Sequence, residues 1–167
     1  MKSKGTSKKY IGTKGKSHLG YMSKGERKIQ QTLIKMEIRY FRESVFKGCV
    51  GGKLPNTVLL PFDFSIYVGD ELQALVEYQG IQHSIPTFTM EDWIKTKEND
   101  AIKRKYCKDN NIPLLEIDFS DYDNIKKVLT YFLQHNGILN KNKKYIELHG
   151  DCKTDKERES LKVRLVL

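Results

Sequence analysis

Two runs that alternate apolar and polar residues flank Gly69-Asp70, and they constrain this chain more than any other feature. Leu60–Val68 and Leu72–Gln79 are each long enough for a strand, and glycine followed by aspartate fits a tight reversal. Centring the turn on Asp70 puts Asp63 opposite Glu77, Ser65 opposite Leu75 and Tyr67 opposite Gln73. Successive strand residues point to opposite sides. Phe62, Phe64, Ile66 and Val68 therefore share one face with Leu72, Ala74, Val76 and Tyr78, which assigns that face to a core. The other face gathers Asp63, Glu77 and Gln79 at the end far from the turn.

The elements around this hairpin follow from periodicity. Ile29, Leu33, Met36 and Tyr40 recur at helical spacing and predict a helix from Ser23 to about Phe41, with Ser23 to Glu26 as a capping box. A short strand is expected near Ile38–Phe46, and Gly48 to Asn56 reads as loop. A second long helix runs from about Thr96 to Asn110, and Pro113–Phe119 is a compact apolar strand. Asp121 opens a third helix that Asn136-Gly137 closes. The order is helix, three strands, helix, strand, helix: an α/β fold with a central mixed sheet flanked by helices. The last thirty or so residues are ambiguous: Leu161–Leu167 could be an added strand, and Lys141–Glu159 is mostly polar and charged.

Charge divides the chain further. Seven of the nine net positive charges fall between Met1 and Gly25, where there are seven lysines and no acid. A lysine-rich segment laced with glycine and serine buries too little apolar surface to fold alone. Residues 1–22 are therefore expected to be a basic arm, 23–137 a core domain and 138–167 a C-terminal extension. The arm, with Lys4, Lys8, Lys9, Lys14, Lys16 and Lys24, suits phosphate contacts that release counterions, or simply solubilises the chain. No apolar run approaches the roughly 20 residues of a membrane span, and no secretory signal is evident, which predicts a cytoplasmic protein without a membrane partner. Cys49, Cys107 and Cys152 form no CxxC pair and are expected to be free thiols.

Two carboxylates opposed across a strand pair repel, so either one keeps a proton or a cation lies between them. Mg²⁺ or Mn²⁺ suits such oxygen donors and can activate water against a phosphodiester. The competing reading is two surface acids on a solvated sheet face.

Pro61-Phe62-Asp63-Phe64 followed by Glu77-Tyr78-Gln79, after a helix bearing Glu26, resembles the PD-(D/E)XK nuclease pattern. Glu77-Tyr78-Gln79-Gly80-Ile81-Gln82-His83 is similar to the very-short-patch-repair endonucleases and to phage homing endonucleases with an E-D-x-H-D set. The stretch from Asn99 to Ile117 continues that likeness. The resemblance covers roughly Ser23 to Gly137 and implies a restriction-endonuclease-like core of order αβββαβα. It further implies a metal-dependent DNA endonuclease of homing, repair or junction-cleaving type, with a phage or mobile-element origin.

The resemblance implies Asp63 and Glu77 as metal ligands helped by Glu26, His83 as general base, and Asp100 and Lys103 at the phosphate. Gln82, Arg104 and Lys105 are implied nucleic-acid contacts. Gln79 replaces the usual lysine of the family; it can orient a water but supplies no charge, which strengthens the case for His83 and Lys103. Glu26 could equally be only a capping residue, and Asp100 with Lys103 only a solvated helix pair. Three other functions stay open: a nucleic-acid-binding protein on a nuclease scaffold without catalysis, an RNA-cleaving nuclease, and a protein-interaction module whose basic arm binds an acidic partner. Paired cuts on duplex DNA would call for two active sites, hence a homodimer.

Overall fold

The first helix starts where a serine can cap it. The Ser23 hydroxyl accepts the Glu26 N–H at 3.1 Å, and α1 spans Lys24–Lys35. Residues 22–81 and 89–149 are described by the computed structural model. The helix stops six residues earlier than its periodicity suggests. Glu37 takes a left-handed φ of 56°, and its N–H and that of Ile38 turn back to the carbonyls of Ile34 and Leu33. This is the double bond of a Schellman end, normally marked by glycine. Because glutamate occupies the left-handed position, no glycine marks the stop. Tyr40 consequently leaves the helix and lies in β1 (Arg39–Ser44).

A two-stranded ladder pairs β2 (Val50–Gly51), inside the expected loop, with β3 (Val58–Leu59), just beyond it. The hairpin strands are β4 (Phe62–Val68) and β5 (Glu71–Gln79). Their register puts Ser65 opposite Leu75, as expected, but a bulge puts Tyr67 opposite Leu72 and leaves Gln73 as the extra residue. The expected Tyr67–Gln73 pairing is thus corrected; alternation predicts register only up to an inserted residue. Helix α2 covers Met90–Asp109 and begins six residues before Thr96, because the Thr89 hydroxyl caps it at Asp92. Strand β6 is Leu114–Asp118. A 3-10 segment, Phe119–Asn124, precedes α3 (Ile125–His135), and α4 (Ile138–His149) supplies structure in the C-terminal extension. Leu161–Leu167 lies outside the described residues.

The main sheet has the order β1-β4-β5-β6, antiparallel except for the parallel β5–β6 pair. It is a mixed sheet with helices on both faces. One face carries Phe64, Ile66, Ala74 and Val76 against Ile29 and Leu33 of α1 and Leu129 and Leu133 of α3. The other carries Leu75 with Phe62, Cys107 and the partly buried Ile102 and Tyr106 of α2. Two expectations change here. Phe62 packs on the α2 side, not with Phe64. The face bearing Glu77 is not solvated, since α2 lies over it and Glu77 is only 4% exposed. Cys49 and Cys107 are free and buried, and burial pushes their thiols up to about 11 and about 12. Cys152 lies outside the described residues. Among the described residues, no helix is long and apolar enough to cross a membrane.

Candidate active site

The paired register of β4 and β5 runs out at Phe64 and Val76. Beyond it, side chains take over the work of the ladder. The Asp63 N–H donates to Glu77 Oε1 at 3.1 Å, and the Tyr78 N–H donates to Asp63 Oδ2 at 2.7 Å. Each acid thus satisfies a buried amide of the opposite strand, a group that would be costly to leave unpaired. Asp63 and Glu77 converge as expected from the hairpin.

Both layers of helices feed this end of the sheet. From the α2 side, Lys103 donates to Glu77 Oε2 at 2.7 Å, and its ammonium lies 5.3 Å from the centre of the Phe62 ring. From the α1 side, Gly25 is buried against the Tyr78 ring, and a Cβ on it would overlap that ring. The missing side chain lets the start of α1 sit on β5 and sets Glu26 beside the strands. The Glu26 carboxylate is 3.6 Å from the Arg42 guanidinium, which is also 4.0 Å from Glu43.

Four carboxylates (Glu26, Glu43, Asp63, Glu77) therefore meet two cations (Arg42, Lys103). Asp63 is pushed above the usual carboxylate range, first by burial and then by Glu26 and Glu43, against its bond from Tyr78 and the charge of Lys103. Glu77 is raised as well, by burial and by Asp63, although the Lys103 ammonium favours its ionised form. These opposed effects belong to the pair, which holds a proton more tightly than a free carboxylate would.

No family model, curated protein or solved structure matches this chain. The site has to be judged on its own chemistry.

Gln79 is buried beyond Glu77 on β5, and its Nε2 donates to Glu116 Oε1 at 3.1 Å. Arg104 Nε donates to the other oxygen, Glu116 Oε2, at 2.7 Å. Asp100 is buried, 3% exposed, one turn before Lys103. The reading of Asp100 and Lys103 as a solvated helix pair is thus overturned by the covering of this face. Lys105 is exposed and paired with Asp109 at 2.7 Å, and Lys24 is exposed. Gln82, His83, Lys4, Lys8, Lys9, Lys14 and Lys16 lie outside the described residues.

Three residues of this region escaped the sequence reading. Arg42 and Glu43 sit at the end of β1, which the sequence blurred into the preceding helix. Glu116 could have been found: an acid inside an otherwise apolar strand needs a partner.

Hard oxygen donors and surplus negative charge suit a divalent cation, and Mg²⁺ needs only one or two carboxylates when water and phosphate complete its shell. Among the described residues, no group of three or more His, Cys, Asp or Glu side chains is arranged to hold a metal ion. Asp63 and Glu77 are the two carboxylates of the site that could share such an ion, and three of their oxygens already accept hydrogen bonds from Asp63, Tyr78 and Lys103.

Proposed function

We propose that this chain is a metal-dependent endonuclease that hydrolyses phosphodiester bonds of DNA, on a restriction-endonuclease-like core of the PD-(D/E)XK type. One observation carries the reading: on neighbouring strands, Glu77 accepts the Asp63 N–H and Asp63 accepts the Tyr78 N–H, with the Lys103 ammonium on Glu77. The resemblance of the Pro61–Phe64 and Glu77–His83 segments supports it, as does the mixed sheet that presents them. The basic arm enters the fold at Ser23, three residues before Glu26, so its six lysines are tethered to the element that carries Glu26.

In this reading Asp63 and Glu77 hold Mg²⁺ or Mn²⁺, with Glu26 assisting. A divalent ion bound there polarises a phosphoryl oxygen and lowers the pKa of a water. Lys103 brings the positive charge that Gln79 lacks and balances the phosphate in the transition state. The carbonyl end of Gln79 orients the water, since its amide nitrogen is committed to Glu116. His83, four residues beyond Gln79, is assigned the role of general base. Arg104 and Lys105 of α2 are assigned to nucleic-acid contact, exchanging Glu116 and Asp109 for phosphate.

The test is cleavage of supercoiled plasmid with Mg²⁺ or Mn²⁺, beside Asp63→Asn and a chelator control. Cleavage that needs metal and falls about a hundred- to thousandfold in the variant is expected, as for loss of a group stabilising charge at the reacting centre. An RNA of matched length decides the sugar. A second reading, binding without catalysis, draws on Gln79 in place of lysine. Tight metal-independent DNA binding with no cutting would establish that reading and reject the first.

A further inference from the structure

We infer that the Lys103 ammonium is a built-in counter-cation, which a divalent ion must displace from Glu77 before the site can act. This deepens the nuclease reading and rests on it. The geometry gives three reasons. First, the ammonium lies 2.7 Å from Glu77 Oε2, while the other oxygen, Oε1, already accepts the Asp63 N–H at 3.1 Å. Both oxygens are thus engaged, and a metal ligated by Glu77 has to claim one of them. Second, the pair is covered: the side chains of Lys103 and Glu77 are 14% and 5% exposed. Water therefore screens poorly, and two cations on one carboxylate would repel strongly. Third, the ammonium has a partner besides Glu77: in the same position it lies 5.3 Å from the Phe62 ring centre, within cation–π reach, and that contact does not depend on the carboxylate.

The arrangement makes the metal-free site self-compensating. Removing one partner of a buried ion pair normally leaves a costly unpaired charge. An incoming divalent ion avoids that cost on Glu77 by replacing Lys103, and the freed ammonium gains most if an anion arrives with the metal. A phosphodiester is such an anion. Metal and substrate should therefore each tighten the binding of the other, through one side chain that changes partner.

The experiment is calorimetric titration of Mn²⁺ into the full chain and into Lys103→Met, Lys103→Arg and Asp63→Asn. Lys103→Met removes the competing charge and should bind Mn²⁺ about tenfold more tightly, equivalent to ~1.4 kcal/mol. Lys103→Arg should stay close to the native chain, and Asp63→Asn should lose the binding. A second measurement uses the unaltered protein, should Lys103→Met not fold: acylation of lysines followed by mass spectrometry, with and without Mn²⁺. Lys103 should become several-fold more reactive with metal, while Lys105, paired to Asp109, should not change. Equal or weaker Mn²⁺ binding by a folded Lys103→Met, or unchanged Lys103 reactivity in a native chain that binds Mn²⁺, would overturn the exchange and leave the nuclease reading standing. Absence of Mn²⁺ binding in both the native chain and Lys103→Met would instead overturn the metal-dependent reading itself.

Discussion

Glu77 and Glu116 lie side by side across the parallel β5–β6 pairing, and successive residues of one helix hold them: Lys103 reaches Glu77 and Arg104 reaches Glu116, each at 2.7 Å. Helix α2 thus fixes two neighbouring strands by two adjacent ion pairs of different character. The Lys103 pair is covered, whereas the Arg104 side chain is half exposed. The same geometry separates what each pair does: the first compensates the proposed metal site, and the second fixes the amide of Gln79.

Glu116→Ala tests that second role. It removes the acceptor for Gln79 Nε2 and leaves Arg104 in solvent. Stability should fall by about 1–3 kcal/mol, chiefly because the buried Gln79 amide loses its acceptor, with little added by the half-exposed Arg104 pair. Cleavage should be affected as well, because the amide of Gln79 is no longer held with its carbonyl end available. A fall in kcat of about tenfold with KM nearly unchanged is expected, the signature of an interaction made only in the transition state. A loss in urea-unfolding stability without that fall in kcat would assign Glu116 a purely structural role.

Stability should also depend on pH in a direction set by the acid pair. Asp63 and Glu77 are both raised, mainly by burial, so the folded chain binds their protons more tightly than the unfolded chain does. Their contribution to stability is then fully present below the ordinary carboxylate range and is lost as pH rises through the raised values. The metal-free protein should lose thermal stability over that interval, beyond what its other groups dictate. Asp63→Asn keeps an oxygen for the Tyr78 N–H but removes one of the two charges, so it should flatten the slope. Mg²⁺ should flatten it too, because a bound cation favours the ionised pair. Melting curves across that interval, with and without Mg²⁺, check all three.

Much of this was legible in the sequence because it depends on period and pairing. Counting from a turn centred on Asp70 brought Asp63 and Glu77 together because the bulge between Ile66 and Tyr67 offsets the true turn, which pairs Val68 with Glu71. The end of α1 was not legible, because Glu37 occupies a left-handed position where glycine is the usual signal. Burial of the acids was missed for another reason. Whether a polar sheet face is solvated depends on what crosses it, and α2 has no strong apolar stripe to announce that it does: only Asp100 and Cys107 of its residues are buried. Arg42 and Glu43 join the site through the β1–β4 pairing, a long-range contact that no local pattern encodes.

Gly25 gives a prediction that reaches the site from outside. A methyl group there would overlap the Tyr78 ring, so Gly25→Ala must push α1 away from β5. Overpacking of this kind costs about 1–3 kcal/mol, and here it outweighs the better helix propensity of alanine. The displaced element carries Glu26, so the pairing with Arg42 should loosen as well. Lower stability together with a higher Mg²⁺ requirement for cleavage is expected, and a metal titration of activity at a temperature where the variant stays folded measures the second effect. A variant that loses stability but keeps the native Mg²⁺ requirement would remove Glu26 from the proposed site.

The arm gives a prediction that separates binding from chemistry. Lys2, Lys4, Lys8, Lys9, Lys14 and Lys16 precede the first helix, with no acid among them. If they contact phosphates, each contact adds about 0.9 to the slope of log affinity against log salt for duplex DNA. Changing all six to glutamine should weaken duplex binding at low salt and make the slope shallower by up to about six contacts' worth. The carboxylates and Lys103 are untouched, so the cleavage rate at saturating DNA should stay within about twofold, the behaviour of uniform binding energy. Fluorescence anisotropy across a salt series gives the slope, and single-turnover cleavage gives the rate. An unchanged slope would reduce the arm to a solubilising segment. A collapsed single-turnover rate at saturation would show that the lysines act on the reacting phosphate itself.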